Sequence, residues 1–506
     1  MNGISVTCFH ERPLAAILGA ADVEMNDQEV LLVLGPAVLL LAIGCEIIWR
    51  NRYVDQWVAR KVLHIGAIGA CALVPMLLDD LRTLIGIVII SELLLIGLVW
   101  KGYLFDQEDG GRSWGIMLFP LPYLFLLFVE DDRWLISLPM CILAFSDAFA
   151  AIAGNTFKRG RYTLPNDQKS FIGSVVFFLV TLIVLQFFPS FRGAIAGVDT
   201  WQAFVLLISI TGMITLLEAI GSRGWDNVLI PLSAWLLLHH ITEYPGSLEK
   251  IAFQESAVLV SSVLFIPMVV RLQWLQMSGA VAAALVASWV VFFAGIEWLL
   301  PLILFLVLSS IIGGFTHRAR TMRDDLKSGK PRDAMQVLCN GGVLAICAAV
   351  FAPDRAALAM GISIAISAAD TWASEIGTAR RSVTRDILNW RKVPVGLSGG
   401  VSLPGTAGAL AGALVFGAIG AVMIDRDDLF WDHFGLIIIG GMLGMFVDSV
   451  LGSSLQERYR TTNGEATDRP QGERISGLPW MTNDLVNLFS NAMATGSVMF
   501  LMDRTW

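Results

Sequence analysis

Residues 134–154 read WLISLPMCILAFSDAFAAIAG. An uncharged apolar run leads up to one carboxylate, Asp147, and then continues past it. A charge inside such a helix is expensive in lipid, so its presence is a functional-site hypothesis by default. Residues 370–377 read DTWASEIG and end a second apolar run. Both stretches fit Asp-x-x-Ala-x-x-x-Gly: Asp147, Ala150 and Gly154 in one, Asp370, Ala373 and Gly377 in the other. Each leads into a basic loop that ends in a Gly/Ser-rich helix start.

The rest of the chain is of the same kind. It is 55% hydrophobic and 15% charged, with a mean hydropathy of +0.67, whereas soluble domains carry about 25% charged residues. About sixteen apolar runs of roughly one bilayer crossing recur, from 30–49 to 484–501. The expected fold is therefore all-α: a polytopic integral membrane protein of about sixteen transmembrane helices. The six cysteines show no metal or disulfide spacing; all but Cys8 sit in apolar runs and read as small core residues. Residues 1–28 read as an N-terminal extension, too weakly basic and apolar for a signal peptide, with Met25 as a second candidate start.

Charge placement orients the chain. Roughly three quarters of the 35 Lys and Arg fall in loops after odd-numbered spans. Those loops are expected to be cytoplasmic and both termini to lie on the opposite side. The two Asp motifs end spans five and thirteen, so they are expected to face the same side in parallel-oriented halves. Glu218 matches Asp448, and Asp226-Asn227 matches Asn483-Asp484, at the same offset. The expected organisation is an extension over 1–28, one membrane domain over 29–245 and a second over 246–506. The halves are not copies: Arg60-Lys61-x-x-His64 opens span two, and span ten has only Arg271 and Gln273 nearby.

Both halves carry residue types suited to phosphoryl transfer. In the first, Asp147, Glu218, Asp226 and Asn227 offer hard oxygen ligands for Mg²⁺ held with substrate phosphates. The loop through Lys158, Arg159, Gly160 and Arg161 reaches Lys169-Ser170-Phe171-Ile172-Gly173-Ser174, a cationic helix start suited to an anion. In the second, Asp370, Glu375, Asp448, Asp484 and Asn487 are the oxygen donors. Arg380, Arg381, Arg385, Arg391 and Lys392 lead into Gly396-Leu397-Ser398-Gly399-Gly400-Val401-Ser402. Upstream, Arg332, Gln336, Asn340, Gly341 and Gly342 begin span twelve. Candidate nucleotide and phosphate contacts are Arg60, Lys61, His64, Lys169, Ser170, Gly173, Ser174, Asn340, Lys392, Gly399, Gly400 and Ser402. Asp147 and Asp370 are the candidate catalytic groups, as metal ligand or as base; the residues leave the two roles open. Neither half carries a Walker A sequence or a kinase Gly-rich loop.

On these residues the first half resembles the phytol kinase and dolichol kinase group of membrane lipid kinases. The likeness rests on Arg60 to His64, Asp147 to Gly154, Lys169 to Ser174 and Glu218 to Pro231. The second half resembles the family that contains plant phytyl-phosphate kinases, long catalogued as an uncharacterised membrane domain. Its matching stretches are Gln336 to Gly342, Ala369 to Gly377, Val393 to Ser402, Asp448-Ser449, and Asn483-Asp484 with Asn487. The resemblance implies a bifunctional kinase. The first half would convert a prenyl alcohol such as phytol or geranylgeraniol to its monophosphate, and the second would make the diphosphate. CTP is the implied donor, Mg²⁺ the implied metal, and tocopherol, chlorophyll or quinone side chains the implied destination. The polar loop 456–480 lacks the cysteines that some relatives carry there and is given no metal role. The partners would be prenyl lipids, a nucleoside triphosphate and the bilayer, with no nucleic acid, in a bacterial plasma membrane. Two alternatives remain open: a CTP-dependent lipid cytidylyltransferase and a two-repeat membrane transporter, the latter disfavoured by parallel repeats with polar groups at one face.

Overall fold

The computed structural model describes residues 26–101, 117–157, 160–164, 167–221, 224–321, 331–380, 382–424, 429–460, 466–468 and 473–505. Residues 1–25 of the N-terminal extension, Lys158, Arg159 and Arg381 lie outside the described residues. The chain divides into two compact units, Met1–Ala252 and Phe253–Trp506.

The first unit contains α1 (Asp27–Arg50), α2 (Gln56–Leu77), α3 (Leu81–Trp100), α4 (Pro120–Val129), α5 (Arg133–Thr156), α6 (Phe171–Phe187), α7 (Thr200–Ile220) and α8 (Asp226–Glu243). An antiparallel hairpin of β1 (Arg161–Leu164) and β2 (Asp167–Ser170) joins α5 to α6. The second unit is built on α9 (Leu248–Arg271), α10 (Met277–Ala294), α11 (Leu299–Thr321), α12 (Ala334–Val350), α13 (Pro353–Ala379), α14 (Leu403–Ile424), α15 (Phe430–Ser454) and α16 (Asn483–Thr505). Between α13 and α14 the two-residue strands β3 (Arg385–Asp386) and β4 (Gly400–Val401) pair antiparallel. Between α15 and α16 lies a small sheet of β5 (Arg458–Arg460), β6 (Ala466–Thr467) and β7 (Glu473–Ser476), in the order β6-β5-β7.

The protein is an all-helical integral membrane protein, and each apolar run of the sequence coincides with one helix. Eleven of the described helices are long and apolar enough to cross a bilayer. Helices α4, α6 and α12 are apolar but shorter, at 10 to 17 residues. At about 1.5 Å per residue they reach roughly 15–25 Å, less than the ~30 Å hydrocarbon core. Lipid leaves no water to bond exposed peptide groups, so each spanning segment closes its own hydrogen bonds as a helix. Among the described residues, capping boxes start three helices: Asn26 with Glu29, Asp199 with Gln202, and Asp333 with Gln336.

Burial singles out the two motif helices. In both α5 and α13, 78% of the apolar window is buried within the protein, against 6% for α1. Small side chains make this possible for α13, where Ala359, Gly361, Ser363, Ala365, Ala368 and Ala369 are all buried. Neighbouring helices α11, α12, α14, α15 and α16 pack around it. Ala369, Ala409, Ala413 and Met445 form a buried cluster beside Asp370. On α1, by contrast, Leu32, Val33, Leu39 and Leu40 are exposed, as befits a face turned to lipid.

Candidate functional site

In the first unit the motif helix α5 is not uniform. Residues Ile142–Asp147 form a π-helical turn that ends on the motif aspartate. Such widened turns are rare and concentrate at functional sites. This one presents the Leu143 carbonyl to His64, whose Nε2 lies 3.1 Å away. A carbonyl only accepts, so Nε2 carries the proton. The same nitrogen is 3.4 Å from Asp147 Oδ2. One turn earlier on α2, Lys61 Nζ donates to the same Oδ2 at 2.6 Å. The pairing follows from the i, i+3 spacing of Lys61 and His64, which places both on one helix face. Beside it, a buried hydrogen bond from Thr181 Oγ1 to Ser146 Oγ (2.9 Å) ties α6 to α5.

A second ion pair lies in the same unit. Lys169, at the end of β2, donates to Glu218 Oε1 at 2.5 Å and to the Glu218 carbonyl at 3.0 Å. Its Nζ is also 3.5 Å from Asp226 Oδ2. Burial disfavours the lysine charge, but Glu218, Asp226 and Asp147 outweigh it and hold its pKa above the ordinary lysine value. Arg60 is half-buried on α2. Asp147, Glu218 and Asp226 therefore each meet a lysine.

The helix start at Lys169–Ser174 is partly satisfied already. Ser170 Oγ caps α6 by accepting from Gly173 N at 3.0 Å, and Phe171 N donates to the Gly160 carbonyl at 3.0 Å. The cap also explains the motif. A Cβ at Gly154 would lie 2.7 Å from Ser170 Oγ, and one at Gly173 would lie 3.1 Å from the Ala150 carbonyl. Ala150 and Gly154 thus form the seat for the α6 N-terminus, on the helix face that Asp147 shares.

The second unit repeats this seat. A Cβ at Gly377 would lie 3.1 Å from Gly405 Cα and 3.3 Å from Ser402 Oγ; one at Gly405 would lie 3.2 Å from the Ala373 carbonyl. Ser402 Oγ accepts from Gly405 N at 3.3 Å. Ser402 and Gly405 therefore stand to the second motif as Ser170 and Gly173 stand to the first. In this alignment Val401 occupies the position of Lys169. Lys392 does not substitute for it: it is exposed, opposite Arg385 in a hairpin turn.

The carboxylates here accordingly meet amides and hydroxyls. Asp448 is 9% exposed and accepts from Ser490 Oγ at 3.2 Å. The Asn487 amide, with its nitrogen toward Asp448, donates to Oδ2 at 3.0 Å and to the Asn483 carbonyl at 3.0 Å. Asp448 also feels the repulsive charge of Asp370. Among the described residues no lysine or arginine is paired with either. Asp484 lies near Asp333, the cap of α12. Glu375 does not join the pair: its Oε2 accepts from Thr316 Oγ1 at 2.6 Å. Five residues at roughly 100° each turn it about 140° around α13 from Asp370. Asn340 is likewise engaged elsewhere, its amide donating to the Gln336 carbonyl at 2.8 Å.

Behind the pair runs a buried polar ladder that sequence reading missed. Asn491 Nδ2 donates to the Ser363 carbonyl and to Ser367 Oγ, both at 3.0 Å. Ser367 Oγ donates to the Asn340 carbonyl at 2.7 Å, and Thr495 Oγ1 to Asn491 Oδ1 at 3.2 Å. The spacing Asn487, Asn491, Thr495 is i, i+4, i+8, one helix face, and was the available signal. It fixes α16 against α13 and so sets Asp448's partners relative to Asp370.

The Gly-rich stretch is held as a rigid loop. Gly399 adopts φ +80°, and a Cβ there would lie 2.6 Å from Ser453 N. Asp386 accepts from Ser453 Oγ at 2.7 Å and from Leu388 N and Asn389 N. Arg458 Nη2 is 3.5 Å from Asp386 Oδ2 and donates to the Ser398 carbonyl at 2.9 Å. Ser398 N donates to Asp468 Oδ2 at 2.8 Å. Burial opposes the Asp386 charge, but these hydrogen bonds and Arg458 hold its carboxyl below the ordinary value. Arg458 and Asp468 thus brace the Gly-rich segment, which positions Ser402 and α14.

Among the described residues no group of three or more His, Cys, Asp and Glu side chains is arranged to hold a metal by itself. The donors of the second unit fit a hard divalent ion that brings its own phosphate ligands, which needs only one or two carboxylates. Those of the first unit are already neutralised by Lys61 and Lys169 and fit such an ion less well.

Residues 260–495, all within the second unit, match the family described as integral membrane protein DUF92. The chain is 28% identical over 265 residues to Protein PGR of Arabidopsis thaliana, covering 46% of this chain and 91% of that protein. It is 27% identical over 220 residues to the uncharacterized membrane protein MJ0933 of Methanocaldococcus jannaschii, covering 41% of this chain and 85% of that protein. No solved structure matches the chain.

Proposed function

We propose that the chain is a bifunctional lipid phosphotransferase. Its first unit phosphorylates a prenyl alcohol, and its second converts the monophosphate to the diphosphate. The observation that carries this reading is the repeated seat with unlike chemistry. In both units a motif aspartate lies beside a Ser-capped helix start, Ser170 over Gly154 and Ser402 over Gly377. Among the described residues, only the first adds lysines and a histidine.

Phosphoryl transfer asks a protein mainly for positioning and charge stabilisation. Lys61 and Lys169 would have to exchange Asp147 and Glu218 for a nucleotide's phosphates, and the positive dipole end of α6 would add to them. In the second unit the acceptor is itself a phosphate. There Asp370 and Asp448, paired with no lysine or arginine among the described residues, would hold Mg²⁺, which would supply positive charge to the phosphates. CTP is the proposed donor, from the resemblance of both halves to CTP-using kinases, and the motif loops are proposed to face the cytoplasm of a bacterial cell.

The test is a product assay on the purified chain with γ-labelled CTP, Mg²⁺, and phytol or phytyl phosphate supplied separately. Label transfer to each lipid with CDP release supports the reading. Pyrophosphate release with CMP transfer would instead indicate a cytidylyltransferase.

A further inference from the structure

We propose that Arg332 is the phosphate-binding cation of the second unit, gripping a phosphate group just outward of Asp370 and Asp448. The proposal rests on the monophosphate-kinase reading and gives that site a cation in place of the first unit's lysines.

Three observations converge on it. First, the seat in this unit has no lysine. Val401 stands where Lys169 stands in the first unit, and Lys392 is exposed in a hairpin turn. A cationic clamp on the phosphates is the recurring protein contribution to phosphoryl transfer.

Second, Arg332 is held in place with its guanidinium uncommitted. Its backbone is fixed to the turn between α9 and α10: Arg332 N donates to the Trp274 carbonyl at 3.3 Å, and Gln276 N donates to the Arg332 carbonyl at 2.9 Å. Gly279 makes room for that carbonyl, with which an added Cβ would collide. The half-buried side chain lies over the Phe305 ring of α11, 5.7 Å from its centroid. Among the described residues its guanidinium makes no hydrogen bond or ion pair. Burial opposes its charge, and Glu375 supports it from beyond ion-pair distance. An aromatic ring offsets only part of what a desolvated cation loses. Phosphate oxygens match the planar fork of an arginine left in that state.

Third, helix register brings Arg332 to the site. Helices α12 and α13 are consecutive and antiparallel, and Ser367 Oγ on α13 donates to the Asn340 carbonyl on α12. Eight residues outward from that contact on each chain segment, Arg332 comes level with Glu375. Asp370 lies five residues deeper, roughly 8 Å. Around α13, Ser367 is roughly 60° from Asp370 on one side and roughly 80° from Glu375 on the other, so the α12 side flanks both. The next residue, Asp333, lies near Asp484 at the start of α16, and Asn487, one turn along α16, donates to Asp448. Arg332 therefore stands about one and a half turns outward of the aspartate pair, where phosphates reaching out from it would lie. The ligand is a phosphate group, supplied by the prenyl monophosphate or by the nucleotide.

The experiment measures kcat and KM for geranylgeranyl phosphate and for CTP, with Mg²⁺, on the full chain in nanodiscs. Arg332→Gln should raise one KM roughly tenfold or more, the loss expected for a hydrogen bond to a charged group. A rise for the lipid puts the acceptor phosphate on Arg332, and a rise for CTP puts the donor's there. Arg332→Lys, which keeps the charge without the fork, should recover part of the loss. Geranylgeraniol phosphorylation by the first unit should be unchanged in both variants. A second measurement needs no variant: phenylglyoxal labelling of Arg332 in the wild-type chain, read by peptide mass spectrometry, should slow when Mg²⁺ and inorganic pyrophosphate are added. Unchanged KM values in Arg332→Gln, a fall in kcat alone, or labelling that pyrophosphate does not slow would each overturn the assignment and leave the kinase reading standing. A wild-type chain inert toward geranylgeranyl phosphate would overturn the kinase reading and the assignment with it.

Discussion

Lys61 Nζ lies 2.6 Å from Asp147 Oδ2, joining α2 to the π-helical turn of α5. The side chains are 24% and 11% exposed, so the pair is partly desolvated. Removing one partner leaves the other as an unpaired charge, which is worse than removing both. Lys61→Met should destabilise the chain by about 2 kcal/mol, below the range for fully buried pairs. Lys61→Met/Asp147→Asn should recover much of it. Thermal unfolding in detergent, run as a double-mutant cycle, measures both.

The glycines of the two seats should differ in tolerance. At Gly377 an added Cβ meets the backbone of Gly405 at 3.1 Å, whereas at Gly154 it meets the Ser170 hydroxyl at 2.7 Å. A hydroxyl can rotate away, at the expense of its cap, about 1 kcal/mol. Backbone cannot move without shifting α14, which places Gly377→Ala at roughly 1–3 kcal/mol. Gly154→Ala should impair only the alcohol reaction and Gly377→Ala only the second. Unfolding temperatures together with separate assays of the two steps check this.

The polar ladder gives a third expectation. Asn491→Leu removes two donors and leaves the buried Ser363 carbonyl and Ser367 hydroxyl short of partners. The change should cost about 1–3 kcal/mol. It should also lower second-step activity several-fold while the first step is spared. Thr495→Val, at the edge of the ladder, should do less. Step-resolved activity assays on the two variants read the difference.

A fourth concerns pH. The Asp386 carboxyl sits below its ordinary value because Ser453, Leu388, Asn389 and Arg458 outweigh burial. A depressed carboxyl contributes stability that is present above the unfolded value and is lost as pH falls through the folded one. The loop 384–402 should therefore stay ordered at neutral and mildly acidic pH and loosen only below the ordinary carboxylate range. Asp386→Asn should loosen it at all pH values. Fluorescence of exposed Trp390, in the same hairpin, reports the transition.

Much of this architecture is legible in the residues, for identifiable reasons. Asp147 and Asp370 stand out because a charge within an apolar run is costly in lipid and is retained mainly where function needs it. Ser170 is readable as a cap because Gly173 follows three residues later. Other features are hidden. The π turn at Ile142–Asp147 leaves no compositional mark, so the Leu143 contact to His64 is invisible beforehand. Lys392 resembles a counterpart of Lys169 because both precede a Gly/Ser helix start. The β3–β4 pairing instead puts Val401 there, since register depends on strand pairing and not on loop composition. Glu375 is close to Asp370 in sequence yet faces Thr316, a consequence of helical period that five-residue spacing already contains.

The central claim is that two successive steps on one lipid occur at two separate sites. The most direct measurement supplies phytol and phytyl phosphate separately to purified Asp147→Ala and Asp370→Ala chains with labelled CTP and Mg²⁺. The account predicts that Asp147→Ala loses alcohol phosphorylation and keeps the second step, and that Asp370→Ala does the reverse. Retention of both steps by both single variants would contradict it.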